Sequence, residues 1–128
     1  MRIALGVFII FHALVHLMYV GQALRWFELK PGMDWPDEAR FLPSGISDHD
    51  IRTFAALAIG TTALAMIVGV AGFLARAGWG NWTIIAGAAL VSLAHVLLWS
   101  GRWAEFADDG GIGVIINVAV IAAVLVLR

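Results

Sequence analysis

The chain has 128 residues, a formal net charge of -1 and no cysteine; 62% of its residues are hydrophobic and only 13% are charged. Soluble domains are roughly half apolar and about one quarter charged, and a chain this short cannot bury so much apolar surface in one core. The composition therefore predicts a single integral membrane domain over residues 1–128. It excludes disulfides, thiolate metal sites and cysteine nucleophiles, and the near-neutral charge does not indicate a nucleic-acid partner.

Four apolar segments are predicted to cross the bilayer. A hydrocarbon core of about 30 Å needs about 20 helical residues, and in lipid only helices and closed barrels satisfy the backbone. The strict alternation of apolar and polar residues that barrel strands show is absent. The predicted fold class is an all-α, antiparallel four-helix transmembrane bundle with spans at about residues 3–26, 51–75, 79–100 and 109–127. The first segment also fits a signal peptide, although its length and two histidines favour a retained span.

The long connection at residues 28–50 is predicted to be a surface loop between the first two helices. It is rich in charged residues and contains three prolines, and loops of this length in compact proteins are usually functional or disordered. Ser47 followed by Asp50 is typical of a capping box, which accounts for the Asp48-His49-Asp50 sequence better than a metal cluster does. An aromatic belt is predicted at this surface, formed by Trp26, Trp35, Trp99 and Trp103.

The distribution of basic residues indicates the orientation in the membrane. Four spans place both termini on one side, and Arg2, Arg76 and Arg128 lie there without any acidic residue. The opposite side carries more basic residues in total, together with all the acids. We favour cytoplasmic termini, because the basic residues at the termini lie in short segments with nothing to offset them.

Five polar residues within the spans are candidates for a cofactor-binding site: His12, His16, Tyr19, His95 and Asn117. His12 and His16 are one helical turn apart, so they share a face of the first helix. From the rise per residue, Tyr19, His95 and Asn117 are expected in one layer, with His16 just below it. Ionisable groups at membrane depth are costly, so such residues should face other helices or a cavity.

Several interpretations of these residues remain open. The simplest is hydrogen bonding between helices, each contact contributing about 0.6–2 kcal/mol. Axial ligation of a b-type haem by His16 and His95 is a second, and a proton relay or quinone pocket built on His16, Tyr19 and His95 is a third. A metal site is the least favoured, because no carboxylate or thiolate lies within the spans to complete the ligand set.

Small residues at helix-packing spacing predict close helix contacts. They occur in the second and third spans, at Ala58, Thr62, Ala65, Gly69, Gly72, Ala88 and Ser92. Ser92 also shares a face of the third helix with His95.

Three stretches resemble an uncharacterised group of small bacterial four-helix membrane proteins: Phe11–Leu17, Phe27–Pro36, and Asp108–Gly113 together with Asn117. The layout of four helices in a chain of this length is similar to that of DoxX-like proteins. Some proteins of that type are subunits of membrane oxidoreductase systems. The resemblance therefore implies an accessory role that is redox- or quinone-linked, and it supplies no catalytic residues.

The expected function is that of a non-catalytic accessory protein or subunit of a membrane complex. The alternative is a b-type haem- or quinone-binding membrane protein that uses the intramembrane histidines. The sequence does not favour an enzyme, and it indicates no catalytic residue and no metal site. The cofactor stays undetermined between haem b, a quinone and none. The expected partners are the lipid bilayer, other membrane subunits or a second copy of the chain, and no nucleic acid.

Overall fold

The computed structural model describes residues 1–37 and 39–127. It contains four α-helices: α1 (Arg2–Ala23), α2 (Asp48–Leu74), α3 (Gly78–Leu97) and α4 (Gly111–Leu127). A short 3-10 helix occupies Trp103–Glu105, and no strand is found within the two described ranges. The predicted all-α class is confirmed. Glu38 of the connecting loop and Arg128 of the basic terminal side lie outside the described residues.

Three of the four helices have the length and the apolar composition of membrane-spanning helices. By length and composition, α1, α2 and α3 can each cross a membrane, and α4 is a shorter apolar helix of 17 residues. Their outer faces expose large apolar side chains, such as Phe11 at 65% and Val126 at 81%, whereas histidines and an asparagine are buried. This distribution is the reverse of that in a soluble bundle, and it suits helices surrounded by lipid.

The starts and ends of the helices follow local chemistry. Ser47 caps α2, because its Oγ accepts a hydrogen bond from the Asp50 backbone N–H at 3.2 Å. The helices α1 and α2 both end in a Schellman motif, with Arg25 and Arg76 in the left-handed conformation at φ 58° and 57°. The following residue closes the motif in each case, and the Ala77 N–H donates to the Gly72 carbonyl at 2.9 Å.

Glycines bring α2 and α3 into backbone contact near the turn that joins them. A Cβ at Gly80 of α3 would lie 2.7 Å from the Cα of Gly72, and one at Gly69 would lie 2.9 Å from the Ile84 side chain. Gly87 packs in the same way against Met66 of α2. The absence of side chains at these positions allows the close approach that the small residues of the second span predicted.

Arg2 joins the start of α1 to the ends of two other helices. Its guanidinium donates to the backbone carbonyls of Phe73, near the end of α2, and of Leu127, at the end of α4. It also lies 4.2 Å from the centroid of the Phe73 ring, within the range of a cation–π interaction. A cation at helix C-termini satisfies free carbonyls and favours the helix dipoles.

Substitution of Gly80 by alanine should destabilise the protein, because the added Cβ meets the backbone of α2 rather than a mobile side chain. We expect a loss of about 1–3 kcal/mol in the free energy of unfolding, which is the usual cost of overpacking. Gly78→Ala is the matched control in the same turn of helix, since a Cβ there has no neighbour within 4 Å. Unfolding in mixed detergent micelles, followed by circular dichroism, measures both; equal stability of the two variants would contradict the close contact.

Candidate functional site

The interior of the bundle holds a continuous chain of hydrogen bonds between α1, α3 and α4. His12, His16, His95 and Asn117 form it, and each is at most 6% exposed. His16 Nδ1 lies 3.2 Å from His95 Nε2, and His16 Nε2 lies 3.2 Å from His12 Nε2. Asn117 bridges the pair on α1, with Oδ1 at 2.9 Å from His12 Nε2 and Nδ2 at 3.3 Å from His16 Nε2. We call these four residues the histidine–asparagine cluster.

Backbone carbonyls accept hydrogen bonds at both ends of the cluster. At one end, His95 Nδ1 lies 3.1 Å from the carbonyl oxygen of Asp109, in the segment before α4. At the other, Asn117 Nδ2 lies 3.0 Å from Ser92 Oγ, and that hydroxyl donates to the Ala88 carbonyl at 2.7 Å. Ser92 thereby completes the connection between α4 and α3.

These end points determine which ring nitrogens carry hydrogen. The Asp109 carbonyl can only accept, so His95 Nδ1 donates and, in a neutral ring, His95 Nε2 must accept from His16 Nδ1. His16 Nε2 is then an acceptor in its turn. From the other end, the Ser92 proton is committed to a carbonyl, so Asn117 Nδ2 donates to Ser92 Oγ and Oδ1 faces His12 Nε2, which must therefore donate. The hydrogen positions assigned from the Asp109 end and from the Ser92 end are compatible when all three rings are neutral.

Two glycines of the α4 segment make room for the histidine rings. A Cβ at Gly110 would lie 2.6 Å from His95 Cε1, and Gly110 also has a left-handed φ of 93°. A Cβ at Gly113 would lie 3.1 Å from His16 Cε1. The Gly-rich start of α4 therefore lets the backbone approach the rings closely enough for the Asp109 carbonyl to accept from His95.

Two aromatic side chains cover the cluster on the side of the connecting loop. The Trp35 ring stacks on His95 at a centroid distance of 5.6 Å, and the Tyr19 ring meets His95 edge-on at 4.8 Å. The Tyr19 hydroxyl donates to the Asp108 carbonyl at 2.7 Å, so it does not join the chain of imidazoles. Trp35 belongs to the connecting loop, which therefore folds inward at this point instead of lying wholly on the surface.

Gln22 attaches the loop to the bundle. It is fully buried, and its side-chain nitrogen donates to the Met33 carbonyl at 2.9 Å and to the Trp35 carbonyl at 3.3 Å. Its side-chain oxygen accepts from the Leu29 N–H at 2.8 Å. Arg25 adds bonds to the Met33 carbonyl and to the loop. These bonds hold Trp35 over His95.

A cleft of about 100 Å³ lies where the loop meets the segment between α3 and α4. Trp35 and Ser100 contribute to its wall, and its charged lining residues are Lys30, Asp34, Arg102, Glu105, Asp108 and Asp109. Lys30 pairs with Asp108 and Arg102 with Glu105, each at 2.7 Å. The hydrogen bond with Asp108 raises the pKa of Lys30.

Asp109 connects the cleft to the cluster. Its carbonyl binds His95, while its buried carboxylate accepts from Ser100 Oγ at 2.6 Å and from the Ser100 N–H at 3.1 Å. Burial raises the pKa of the Asp109 carboxyl, and the two bonds from Ser100 oppose that shift. Asp109 thus belongs both to the wall of the cleft and to the hydrogen-bond chain of the cluster.

The geometry of the cluster does not fit a b-type haem. Two imidazole nitrogens that ligate one metal from opposite sides are about 4 Å apart, at about 2 Å from the metal each. His16 Nδ1 and His95 Nε2 lie 3.2 Å apart in a direct hydrogen bond, and Trp35 and Tyr19 pack on His95 where a macrocycle would extend. The pocket beside His95 toward α4 measures about 20 Å³, which is room for about one water molecule. Across the described part of the chain, no group of three or more His, Asp or Glu residues is arranged to hold a metal ion.

The structure brings four of the five candidate residues into one hydrogen-bonded cluster, with Tyr19 in ring contact beside it. Sequence reasoning did not single out Gln22 or Asp109, nor the inward position of Trp35. A buried glutamine at the end of an apolar span could have been noticed, since an uncharged amide there also needs partners. The role of the Asp109 carbonyl has no signal in the sequence, because every residue has a backbone carbonyl.

No protein-family model, no curated protein and no solved structure matches this chain.

The tautomer assignment can be tested by nuclear magnetic resonance. We expect hydrogen on Nε2 of His12 and on Nδ1 of His16 and His95, because only this set satisfies the bonds to Asp109 and Ser92. Two-bond ¹⁵N–¹H correlations of the imidazoles in micelles distinguish the tautomers. Exposed His49, outside the cluster, is the internal control. An Nε2–H tautomer of His95, or a doubly protonated ring in the cluster at neutral pH, would contradict the assignment.

Asp109 should make the stability of the protein depend on pH. Its pKa is raised in the folded state above the ordinary value of about 3.9, so the folded protein holds this proton to higher pH than the unfolded chain does. The free energy of unfolding should therefore fall as pH rises through this window, and the loss should be absent in Asp109→Asn. Denaturation curves at several pH values measure the difference, with exposed Asp48→Asn as control. A wild-type slope in the Asp109 variant would show that this carboxyl is not the cause.

Proposed function

We propose that this chain is a small multi-pass protein of the bacterial inner membrane, with four helices that cross the bilayer as an antiparallel bundle. The contacts of Arg2 support this topology, because they bring the start of α1 together with the ends of α2 and α4. Both termini then share the cytoplasmic side. The connecting loop between α1 and α2, which ends at Ser47 where α2 begins and is therefore shorter than the predicted residues 28–50, lies at the opposite surface as a cap held by Gln22.

Within that membrane we propose a non-catalytic role, as an accessory protein or subunit of a larger complex. The observation that carries the proposal is the matching of donors and acceptors along the chain of hydrogen bonds that runs from the Asp109 carbonyl through the cluster to Ser92. A proton relay needs a terminal group that can take up and release a proton, whereas this cluster ends on the carbonyls of Asp109 and Ala88. The cluster therefore serves to fix α1, α3 and α4 relative to one another.

The resemblance to DoxX-like proteins supports a redox- or quinone-linked complex as the partner assembly. Binding of haem b or a quinone by the histidines themselves is the alternative. It would require the His16–His95 hydrogen bond to break and Trp35 to leave its position on His95. The subunit role requires neither rearrangement, so we favour it.

Purification from native membranes in a mild detergent tests the proposal. We expect a second membrane protein to co-purify in fixed stoichiometry, and the preparation to show no Soret absorption. His16→Ala and His95→Ala are the variants to compare, because a Soret band that disappears in both would establish the haem alternative. A monodisperse chain that retains no partner, at detergent concentrations that preserve the helical circular dichroism, would contradict the subunit role.

A further inference from the structure

Ser100 lies between two carboxylates in the segment that joins α3 to α4. Its Oγ is 2.6 Å from Asp109 Oδ2 and 3.3 Å from Glu105 Oε2, and its backbone N–H donates to the same oxygen of Asp109 at 3.1 Å. A hydroxyl has one hydrogen, so it can donate fully to only one of the two carboxylates. The shorter distance indicates that Asp109 is the acceptor in this structure.

The same hydroxyl can also accept a hydrogen bond from Asp109. A hydroxyl oxygen has two lone pairs, and the Arg102 N–H, at 3.3 Å, occupies one of them. Once the Asp109 carboxyl carries a proton, its O–H can donate to the other lone pair of Ser100 Oγ. The Ser100 hydrogen then turns to Glu105, whose carboxylate Arg102 holds in an ion pair at 2.7 Å. Both states therefore match every donor with an acceptor.

The surroundings of Asp109 favour uptake of this proton. The residue is 5% exposed, and burial together with the charge of Glu105 raises the pKa of its carboxyl, while the bonds from Ser100 and the charge of Arg102 oppose the shift. The other titratable groups around it are Lys30, Asp34 and Asp108 at the cleft, His95 of α3 and Tyr19 of α1. Lys30 is paired with Asp108, and the Tyr19 hydroxyl is bound to the Asp108 carbonyl.

We propose that Asp109, Ser100 and Glu105 form a pH-sensitive switch, in which one proton taken from solvent by Asp109 reverses the hydrogen bond of Ser100. In the ionised state Ser100 donates to Asp109. In the protonated state Asp109 donates to Ser100, and Ser100 donates to Glu105. A protonation switch needs two such discrete arrangements and a structural element that responds to them.

The responding element is the backbone of Asp109. Its carbonyl accepts from His95 Nδ1 at 3.1 Å, and Gly110, which follows it, packs against the same ring. Charge-assisted hydrogen bonds are about twice as strong as neutral ones, so protonation loosens the hold of Ser100 on Asp109. The bond from His95 should lengthen with it. The switch does not depend on the subunit role; only the side of the membrane whose pH it follows rests on the proposed topology.

A pH titration of the full chain in micelles, followed by nuclear magnetic resonance, tests the proposal. Labelling of the aspartate carboxyl carbons with ¹³C gives the titration midpoint of Asp109, whose signal is identified by its loss in Asp109→Asn. We expect a midpoint above the ordinary aspartate pKa of about 3.9. On acidification the His95 Nδ1–H signal should move upfield with the same midpoint, because its bond to the Asp109 carbonyl lengthens. Asp109→Asn should abolish that movement.

Two further variants separate the switch from titration of an isolated carboxyl. Ser100→Ala removes the hydroxyl that stabilises the ionised form, so the Asp109 midpoint should rise. Glu105→Gln removes the nearby negative charge, so the midpoint should fall. Asp48→Asn, an exposed acid at the start of α2, is the control and should leave it unchanged.

The wild-type titration alone can contradict the proposal, even if a variant fails to fold. The indole signals of the six tryptophans report folding in each case. The proposal is overturned if the His95 signal stays fixed while Asp109 titrates, or if it moves equally in folded Asp109→Asn. It is also overturned if folded Ser100→Ala or Glu105→Gln has the wild-type midpoint.

Discussion

The matching of donors and acceptors inside an apolar bundle is the constraint on which this structure depends. A neutral imidazole has one donor and one acceptor, and no lipid can satisfy either. Three imidazoles in a row are acceptable only if each donor nitrogen faces an acceptor and the ends of the chain meet groups that fit. The carbonyl of Asp109 and the hydroxyl of Ser92 meet that requirement. Rotation of one helix about its axis would leave several of these groups unpaired at once.

The backbone adapts to this constraint through glycine. The helices α2 and α3 approach closely because Gly72 and Gly80 have no side chains. At the other side of the bundle, α1 and α4 share few backbone neighbours, and side-chain hydrogen bonds across that seam have a larger part in holding them together. Gly110 and Gly113 lie against the rings of His95 and His16. Packing and hydrogen bonding therefore specify the same arrangement of helices.

The apolar segments and the cap at Ser47 were predictable because each is a local pattern with a direct physical cause. The candidate polar residues were predictable from the cost of burying them. Their pairing was not, since depth estimates along a helix are uncertain by several ångströms and tautomers depend on backbone carbonyls remote in sequence. The position of Trp35 was not predictable for the same reason. As a tryptophan near the end of a span it fits the predicted aromatic belt at the surface, but the hydrogen bonds of Gln22 to the loop backbone place it over His95.

Asp109 links the histidine–asparagine cluster in the bundle interior to the cleft beside the connecting loop. Its carbonyl accepts a hydrogen bond from His95 and so sets the donor and acceptor nitrogens of the cluster. Its carboxylate lines the cleft and accepts a hydrogen bond from Ser100 Oγ. Because one residue carries both groups, a movement of the Asp109 carboxylate would also displace the backbone carbonyl that accepts from His95. The shape of the cleft and the packing of α1, α3 and α4 therefore depend on the same short segment before α4.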